Sequence, residues 1–317
     1  MRILLVKTSS LGDVIHNLPV VSDIRQHLPG VVIDWCVEEA FSAIPRLHPG
    51  VEDIIPLALR RWRRAPFSTR TWQEIATFRT QLRNNAYDAV IDTQGLLKSA
   101  LVASQAHGPI SGYAAGCARE PLAARFYDRR FSIGIEQHAV VRNRQLAAAA
   151  LGYRAEGETD YGIEAPVAHF DWLPALPYVV FLTATSRDDK LWREPHWVAL
   201  GRQLQGLGHC VVLPAGSAAE RERANRLAAE IPGAIAAPQL TISELASLLA
   251  GARAAVGVDT GLSHLAVALG TPTVALYVAT DPGLTGVLGR GYHRNLGGCA
   301  QMPAPEAVLE ALQPVLA

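Results

Sequence analysis

The sequence predicts an α/β protein with two doubly wound parallel sheets, one in each of two domains. Short apolar runs of strand character alternate with helix-like segments in both halves of the chain, which is typical of parallel sheets covered by helices. The 317 residues are enough for two domains of ordinary size. The segment 164–177 contains three prolines and has no clear period, so it is the predicted linker.

Composition excludes several classes of protein. Hydrophobic residues make up 49% of the chain and charged residues 18%, which suits a folded globular protein. The 29 basic residues balance the 29 acidic ones, so no overall field points to a nucleic-acid partner. The four cysteines form no CxxC pair, which argues against a zinc site or a disulfide framework and fits a reducing cytoplasm. We expect neither a signal peptide nor a transmembrane segment.

The first strand, Ile3–Val6, runs into a Ser/Gly loop, and a helix is predicted over Val14–His27. Asp13 lies at or near the start of this helix, where the helix dipole stabilises a carboxylate in its ionised form. An ionised carboxylate at that position suits a general base working at neutral pH. It equally suits a helix N-cap, and the segment alone leaves both interpretations open.

The alternation continues through the first half, although it weakens over 119–131. Further strands are predicted over Val31–Val37, Asp53–Leu57 and Ala89–Asp92, and further helices near Phe41–Leu47 and over Trp72–Asn84 and Val140–Leu151. The basic run Arg60–Arg64 follows the third strand, and Lys98 follows the fourth. Because ligands gather at the carboxyl ends of parallel strands, we expect both at the same sheet edge as Asp13. A solvated surface loop is the alternative interpretation of the basic run.

The second half repeats the pattern. Strands are predicted over Tyr178–Leu182, Cys210–Leu213, Ala254–Val258 and Thr273–Tyr277, and helices over Trp197–Leu207, Ala219–Ile231, Ile242–Ala250 and Pro305–Leu316. The chain has three lysines against 26 arginines, and each lysine lies at or just beyond a predicted strand: Lys7, Lys98 and Lys190. A compact ammonium in a tight phosphate or carboxylate site is not replaceable by arginine, which suggests that the chemistry of all three matters.

A tight turn, Asp259-Thr260-Gly261, joins the strand Ala254–Val258 to a helix that begins near Leu262. The unpaired N–H groups and the positive end of such a helix predict an anion site, and His264 lies in its first turn. A structural turn with Asp259 as helix cap is the alternative. Asp-Thr-Gly is also the triplet of aspartic proteases, but their chemistry needs two such loops, and the only other Asp-Thr pair is followed by Gln94.

Four stretches resemble one family, in the same order and with similar spacing over nearly the whole chain. They are VKTSSLGDVIHNLP (Val6–Pro19), IDTQGLLKSAL (Ile91–Leu101), ATSRDDKLW (Ala184–Trp192) and VDTGLSHLA (Val258–Ala266). The chain is similar to the bacterial ADP-heptose:lipopolysaccharide heptosyltransferases of glycosyltransferase family 9, and the KTSSLGD form is that of heptosyltransferase I enzymes. The resemblance implies a GT-B fold, with two Rossmann-like domains facing a cleft.

The resemblance also implies the function. Residues 1–165 would bind the acceptor and 178–317 the nucleotide sugar, with the last helix able to pack back onto the N-terminal domain. The reaction would move L-glycero-D-manno-heptose from ADP-heptose to a Kdo residue of Kdo-lipid A, with inversion, at the cytoplasmic face of the inner membrane. A heptosyltransferase II, a nucleotide-sugar epimerase and a glycan-binding module are the alternatives.

Roles for individual residues follow from matching positions. Asp13 would be the general base, and Lys190 would stabilise the departing diphosphate. The donor would be bound by Thr185, Ser186, Lys190, Glu220, Leu240, Asp259, Thr260, Gly261, Leu262 and His264. The acceptor would be bound by Arg60, Arg61, Arg63, Arg64, Lys98 and Arg119, with Trp62 against sugar or lipid. The chain has no Asp-x-Asp motif, so we expect no metal and no other cofactor.

Overall fold

A computed structural model describes residues 1–185 and 187–316. The chain divides into two compact units, Met1–Ile163 and Glu164–Ala317. Each unit contains one six-stranded sheet, and the pairings between neighbouring strands are parallel. The predicted fold class is therefore confirmed.

The first sheet has the strand order β3-β2-β1-β4-β5-β6, so its direction of winding reverses between β1 and β4. Its strands are β1 (Arg2–Val6), β2 (Val32–Glu38), β3 (Asp53–Leu57), β4 (Ala89–Asp92), β5 (Ile110–Tyr113) and β6 (Arg129–Phe131). The apolar run Ile3–Val6 is fully buried, as a central strand covered on both faces must be. Ligands of such sheets bind at the reversal point, beyond the carboxyl ends of the two strands that flank it. A ligand site is therefore expected at the loops after β1 and β4.

Seven α-helices occur in the described part of the first unit. They are α1 (Leu11–Ile15), α2 (Leu18–His27), α3 (Ala43–Arg46), α4 (Leu59–Trp62), α5 (Thr69–Arg83), α6 (Leu97–Ala103) and α7 (Ala139–Leu151). The prediction of one helix over Val14–His27 is wrong, because the segment holds parts of two helices, and Pro19 lies in the first turn of the second. Proline has no N–H to donate and is tolerated only in the first turn of a helix. A buried ion pair, Arg144 to Asp23 at 2.7 Å, joins α7 to α2.

The second sheet repeats the same winding with the order β12-β11-β10-β7-β8-β9. Its strands are β7 (Tyr178–Leu182), β8 (Cys210–Leu213), β9 (Ile235–Ala236), β10 (Ala254–Val258), β11 (Thr273–Tyr277) and β12 (His293–Gly297). The two edge strands β9 and β12 were not predicted: β9 has two residues, and β12 is mostly polar and partly exposed. The reversal point of this sheet lies between β10 and β7.

The helices of the second unit cover its sheet. They are α8 (Glu194–Gly206), α9 (Ala218–Glu230), α10 (Ile242–Ala250), α11 (Gly261–Ala268), α12 (Pro282–Thr285) and α13 (Pro305–Leu316). The last helix packs against α8, and its Val308 and Leu312 are buried in the core of this unit. The expectation that the last helix also packs onto the N-terminal domain stays a prediction. Among the described residues, no helix is long and apolar enough to cross a membrane.

Candidate active site

The loop after β1 holds Asp13 through a capping box. Ser10 is the N-cap of α1, and its backbone N–H and its hydroxyl both donate to Asp13 Oδ2 at 3.0 Å. Asp13 is the third residue of the helix, three positions beyond the N-cap, so the interpretation of Asp13 as the N-cap itself is wrong. The carboxylate nevertheless has a structural role, because it satisfies an N–H group that the short helix leaves unpaired.

A second contact fixes the other oxygen of the same carboxylate. Arg119, which follows β5, brings its Nη2 to 2.6 Å from Asp13 Oδ1. The side chain of Asp13 is 17% exposed and that of Arg119 is 46% exposed. Arg119 was predicted to bind an acceptor, and the structure instead places it on the predicted base. A carboxylate has about four lone-pair sites, so Asp13 still has capacity to accept a proton.

Lys7 lies buried beneath this pair. Its Nζ donates to the carbonyl oxygen of Thr93 at 2.8 Å and to Asn143 Oδ1 at 3.4 Å. Burial lowers the pKa of Lys7 to about 8, and the negative charge of Asp13 opposes part of that fall. The sequence singled out Lys7 by its position but suggested no task for it. In the structure Lys7 places a buried positive charge beside the candidate base.

The ionisation of Asp13 is set by opposing influences. Burial raises its pKa, whereas the positive charges of Lys7 and Arg119 and the N–H of Ser10 lower it. The lowering influences prevail, and the pKa of Asp13 lies well below the range usual for an aspartate. Asp13 is therefore a carboxylate throughout the neutral range, as a base must be before it accepts a proton.

The loop after β4 reaches the same point. Lys98, in the first turn of α6, donates from Nζ to the hydroxyl of Ser9 at 2.9 Å. The backbone N–H and the hydroxyl of Thr8 both donate to Gln94 Oε1, at 2.7 and 2.8 Å. The structure thus gathers Asp13, Lys98 and Arg119 at the reversal point of the first sheet.

The basic segment Arg60–Arg64 is less free than its sequence predicts. Arg61 is held by both carboxylate oxygens of Glu39, each at 3.0 Å, and also by Glu74. Glu39 lies directly after the end of β2, 22 residues before Arg61 in the chain. Arg61 is thus a paired arginine rather than an open contact for an anion.

Trp62 is largely internal in the structure. Its side chain is buried, it packs edge-on against Phe78, and its Nε1 donates to Glu74 Oε2 at 2.8 Å. Its polar edge is therefore used internally, and it does not stand exposed to meet a sugar. Arg63 and Arg64 remain exposed, and neither forms an ion pair with any described residue. Arg60 is exposed as well, with its guanidinium 5.0 Å from the centre of the Phe41 ring.

The second unit gathers another group of polar side chains, where β7, β10 and β11 end. Lys190 Nζ lies 2.7 Å from Asp259 Oδ2, and the Thr280 hydroxyl donates to the same oxygen at 2.7 Å. The hydroxyl of Thr185 donates to the backbone oxygen of Asp259 at 3.0 Å. The interpretation of Asp259 as a helix cap is therefore wrong. Thr280 was missed, although its position just beyond β11, a neighbour of β10, is the signal that could have found it.

The helix that follows this turn is α11, and its N-cap residue is Thr260. The Thr260 side chain makes no capping hydrogen bond with any described residue. The first N–H groups of a helix have no partner within it, so those of Gly261 and Leu262 are suited to an anion. His264 lies in the same turn and is 4% exposed, hence largely buried.

Other residues predicted to bind the nucleotide sugar lie along the same edge of the second sheet. Glu220 is the third residue of α9, and its Oε2 accepts the backbone N–H groups of Gly216 at 2.8 Å and Ser217 at 3.2 Å. It is thus a capping residue, whether or not it also meets a ligand. Leu240, in the loop before α10, is partly exposed. Ser186 lies outside the described residues. Within the described ranges, no cluster of three or more His, Cys, Asp or Glu side chains is arranged to hold a metal ion.

Comparisons with known proteins agree with one another. The model of glycosyltransferase family 9 (heptosyltransferase) matches residues 75–309. Lipopolysaccharide heptosyltransferase 1 of Pseudomonas aeruginosa is 50% identical, over 92% of this chain and 82% of that protein. The solved structure of E. coli heptosyltransferase WaaC with ADP has a TM-score of 0.91 and 44% identity and covers 100% of both chains. The structure of the same enzyme with ADP-2-deoxy-2-fluoro heptose has a TM-score of 0.88 and 42% identity over 99% of each chain. Lipopolysaccharide heptosyltransferase 2 of E. coli is 26% identical, over 100% of this chain and 99% of that protein.

Proposed function

Since this chain belongs to glycosyltransferase family 9, the heptosyltransferases, we propose that it transfers L-glycero-D-manno-heptose from ADP-heptose to a Kdo residue of Kdo-lipid A. The protein is a glycosyltransferase that acts in the synthesis of the lipopolysaccharide core. A heptosyltransferase I function is favoured over heptosyltransferase II by the identities of 50% and 26%. The transfer would add the first heptose of the inner core.

Asp13 is the proposed general base. The acceptor hydroxyl is a poor nucleophile, and a positioned carboxylate removes its proton as the new bond forms. The observation that carries this role is the environment of Asp13: a carboxylate kept ionised by Lys7 and Arg119 at the reversal point of the first sheet. A glycan-binding module needs no base, so Asp13 argues against that alternative. An epimerase has no anionic acceptor to hold, so the exposed Arg60, Arg63 and Arg64 argue against it.

The second unit is proposed to bind the donor. ADP is a good leaving group because its terminal phosphate is a weak base, so it needs positive charge more than a proton donor. Lys190 and the first N–H groups of α11 supply that charge. The Lys190 ammonium is paired with the Asp259 carboxylate. We propose that the diphosphate takes over the ammonium, which leaves the Asp259 carboxylate to accept a hydroxyl of the heptose.

The stereochemistry and the need for metal follow from these roles. A single displacement, with the base on one side and the leaving group on the other, inverts the anomeric centre. A β-linked donor therefore gives an α-linked product. Because Lys190 and the start of α11 already provide positive charge, the transfer is proposed to proceed without a metal ion.

Acceptor binding is assigned to the first unit, with a changed set of residues. Lys98 stands next to the catalytic loop, and Arg60, Arg63 and Arg64 have exposed guanidinium groups. Each is suited to the Kdo carboxylates and lipid phosphates, and the same charges favour an anionic membrane surface. We propose that the protein works in the cytoplasm, peripherally on the inner membrane.

One experiment tests the proposed function. The purified chain is incubated with ADP-heptose and Kdo-lipid A, and the acceptor is examined by mass spectrometry. We expect a mass increase of one heptose on the acceptor, and none when UDP- or GDP-sugars replace the donor. An acceptor that already carries the first heptose serves as the second arm. Preferential extension of that acceptor would contradict the heptosyltransferase I assignment.

A further inference from the structure

An open apolar groove runs along the first unit between α5 and α6. It encloses about 450 Å³, within the range of ligand-binding clefts. Its lining is apolar except for two cations, Arg79 and Lys98, and one amide, Gln105. Leu57, Trp62 and Phe78 belong to the buried core, whereas Leu101 is 46% exposed at the rim.

The charges on the groove have one sign. Arg79 and Lys98 line it, and none of the described residues that line it is acidic. A second cavity, of about 380 Å³, lies on the other side of Trp62 and is different. There Glu39 and Glu74 neutralise Arg61 through ion pairs. The contrast means that the α5–α6 groove is suited to a ligand that is apolar along its length and negatively charged at its head.

The groove also begins beside the candidate active site and leads away from it. Lys98 stands at one end, and its Nζ contacts the hydroxyl of Ser9 in the loop that carries Asp13. Toward the other end, Arg83 donates from Nε to the backbone oxygen of Gln105 at 3.2 Å. The five steps from Lys98 to Ala103, the last residue of α6, span about 7.5 Å at the rise of a helix. A ligand whose head lies near Asp13 thus has an apolar path leading away from it.

We propose that this groove binds an acyl chain of the anionic glycolipid acceptor, with Arg79 and Lys98 against its phosphate or carboxylate groups. The inference rests on the proposed function, because that function brings an anionic amphiphile to this edge of the sheet. The complementarity is of two kinds. The acyl chain would contact the apolar floor of the groove, and the acidic head would contact Arg79 and Lys98, neither of which forms an ion pair with a described residue.

The test compares two acceptors and two variants of the full-length protein. The acceptors are Kdo-lipid A below its aggregation concentration and the same glycan with every acyl chain removed. Leu101→Glu places a charge at the rim of the groove. Leu207→Glu is the matched control, because Leu207 is an exposed leucine, 58% accessible, in the other unit. Thermal unfolding of each variant checks that both remain folded.

We expect the wild-type protein to have a KM for the acylated acceptor about tenfold below that for the deacylated one, since burial of two methylene groups suffices for tenfold. Leu101→Glu should remove most of this difference by raising the KM for the acylated acceptor, and Leu207→Glu should keep it. Equal KM values for the two acceptors in the wild type, as expected for a groove that holds a peptide, would overturn the inference. So would a Leu101→Glu defect of equal size with both. Failure of the proposed function looks different, because then neither acceptor gains a heptose.

Discussion

Replacing Lys7 by methionine tests whether a buried ammonium really lies beneath the candidate base. Methionine has similar length and no charge, and Lys7 is 3% exposed, so the change removes the charge with little change of shape. The pKa of Lys7 is lowered from 10.5 to about 8 by burial. Each pKa unit corresponds to 1.36 kcal/mol, so keeping Lys7 charged in the folded state costs about 3 kcal/mol below pH 8.

The sign of the pH dependence follows from linkage. Between about pH 8 and 10.5 the unfolded chain holds the Lys7 proton and the folded protein has lost it, so the unfolding free energy of the wild type rises with pH. The variant lacks this contribution. We therefore expect wild-type stability, relative to Lys7→Met, to increase by up to about 3 kcal/mol over that range.

Urea unfolding of both proteins at a series of pH values measures the difference, in which all other titrating groups cancel. Lys7→Gln, which keeps a hydrogen-bond donor without the charge, is the control and should follow the methionine variant. A difference that stays constant from pH 7 upward would contradict the account, because it would mean that Lys7 is not a desolvated cation.

Further predictions concern the charged residues around the two sites. Arg119→Met should lower kcat about tenfold or more, because Asp13 loses the charged hydrogen bond that orients it. A higher acceptor KM with kcat unchanged would instead indicate that Arg119 binds the acceptor. Arg63→Ala with Arg64→Ala should raise the acceptor KM several-fold and weaken its salt dependence. Arg61→Ala should have the smaller effect on that KM, since Glu39 and Glu74 already pair with Arg61; equal effects would refute this ranking. Lys190→Ala should abolish activity and Lys190→Arg should recover it only in part, because a guanidinium fork does not fit a point-charge site. Activity of the wild type should survive EDTA, and activity restored by magnesium after EDTA would contradict the proposed leaving-group stabilisation.

The sequence predicted those features that depend on local pattern. Apolar runs such as Ile3–Val6 and Ala254–Val258 identify central strands, because a strand buried on both faces must be apolar throughout. The carboxyl ends of such strands then place Asp13 and Lys98 together, since parallel strands end at a common edge. Chain order and strand direction are sufficient for these predictions.

Features that depend on pairing across the fold were not predictable in the same way. Glu39 neutralises Arg61 from the next strand, and no local charge count contains that information. Arg119 comes to Asp13 from more than a hundred residues away, through a stretch with weak periodicity. The short edge strand β9 has two residues, too few to display a period. The two ion pairs were missed because the partner is distant in sequence, and the strand was missed because it is short.

The most direct test of the central claim is the kinetics of Asp13→Asn. Asparagine keeps the shape of the side chain and a contact with Ser10, but it does not accept a proton as a base. We expect kcat to fall by roughly 10²–10⁴-fold, the usual contribution of a general base, while the affinity for ADP-heptose measured by calorimetry is nearly unchanged. A kcat close to that of the wild type, with donor binding intact, would show that Asp13 only caps its helix and that the base lies elsewhere.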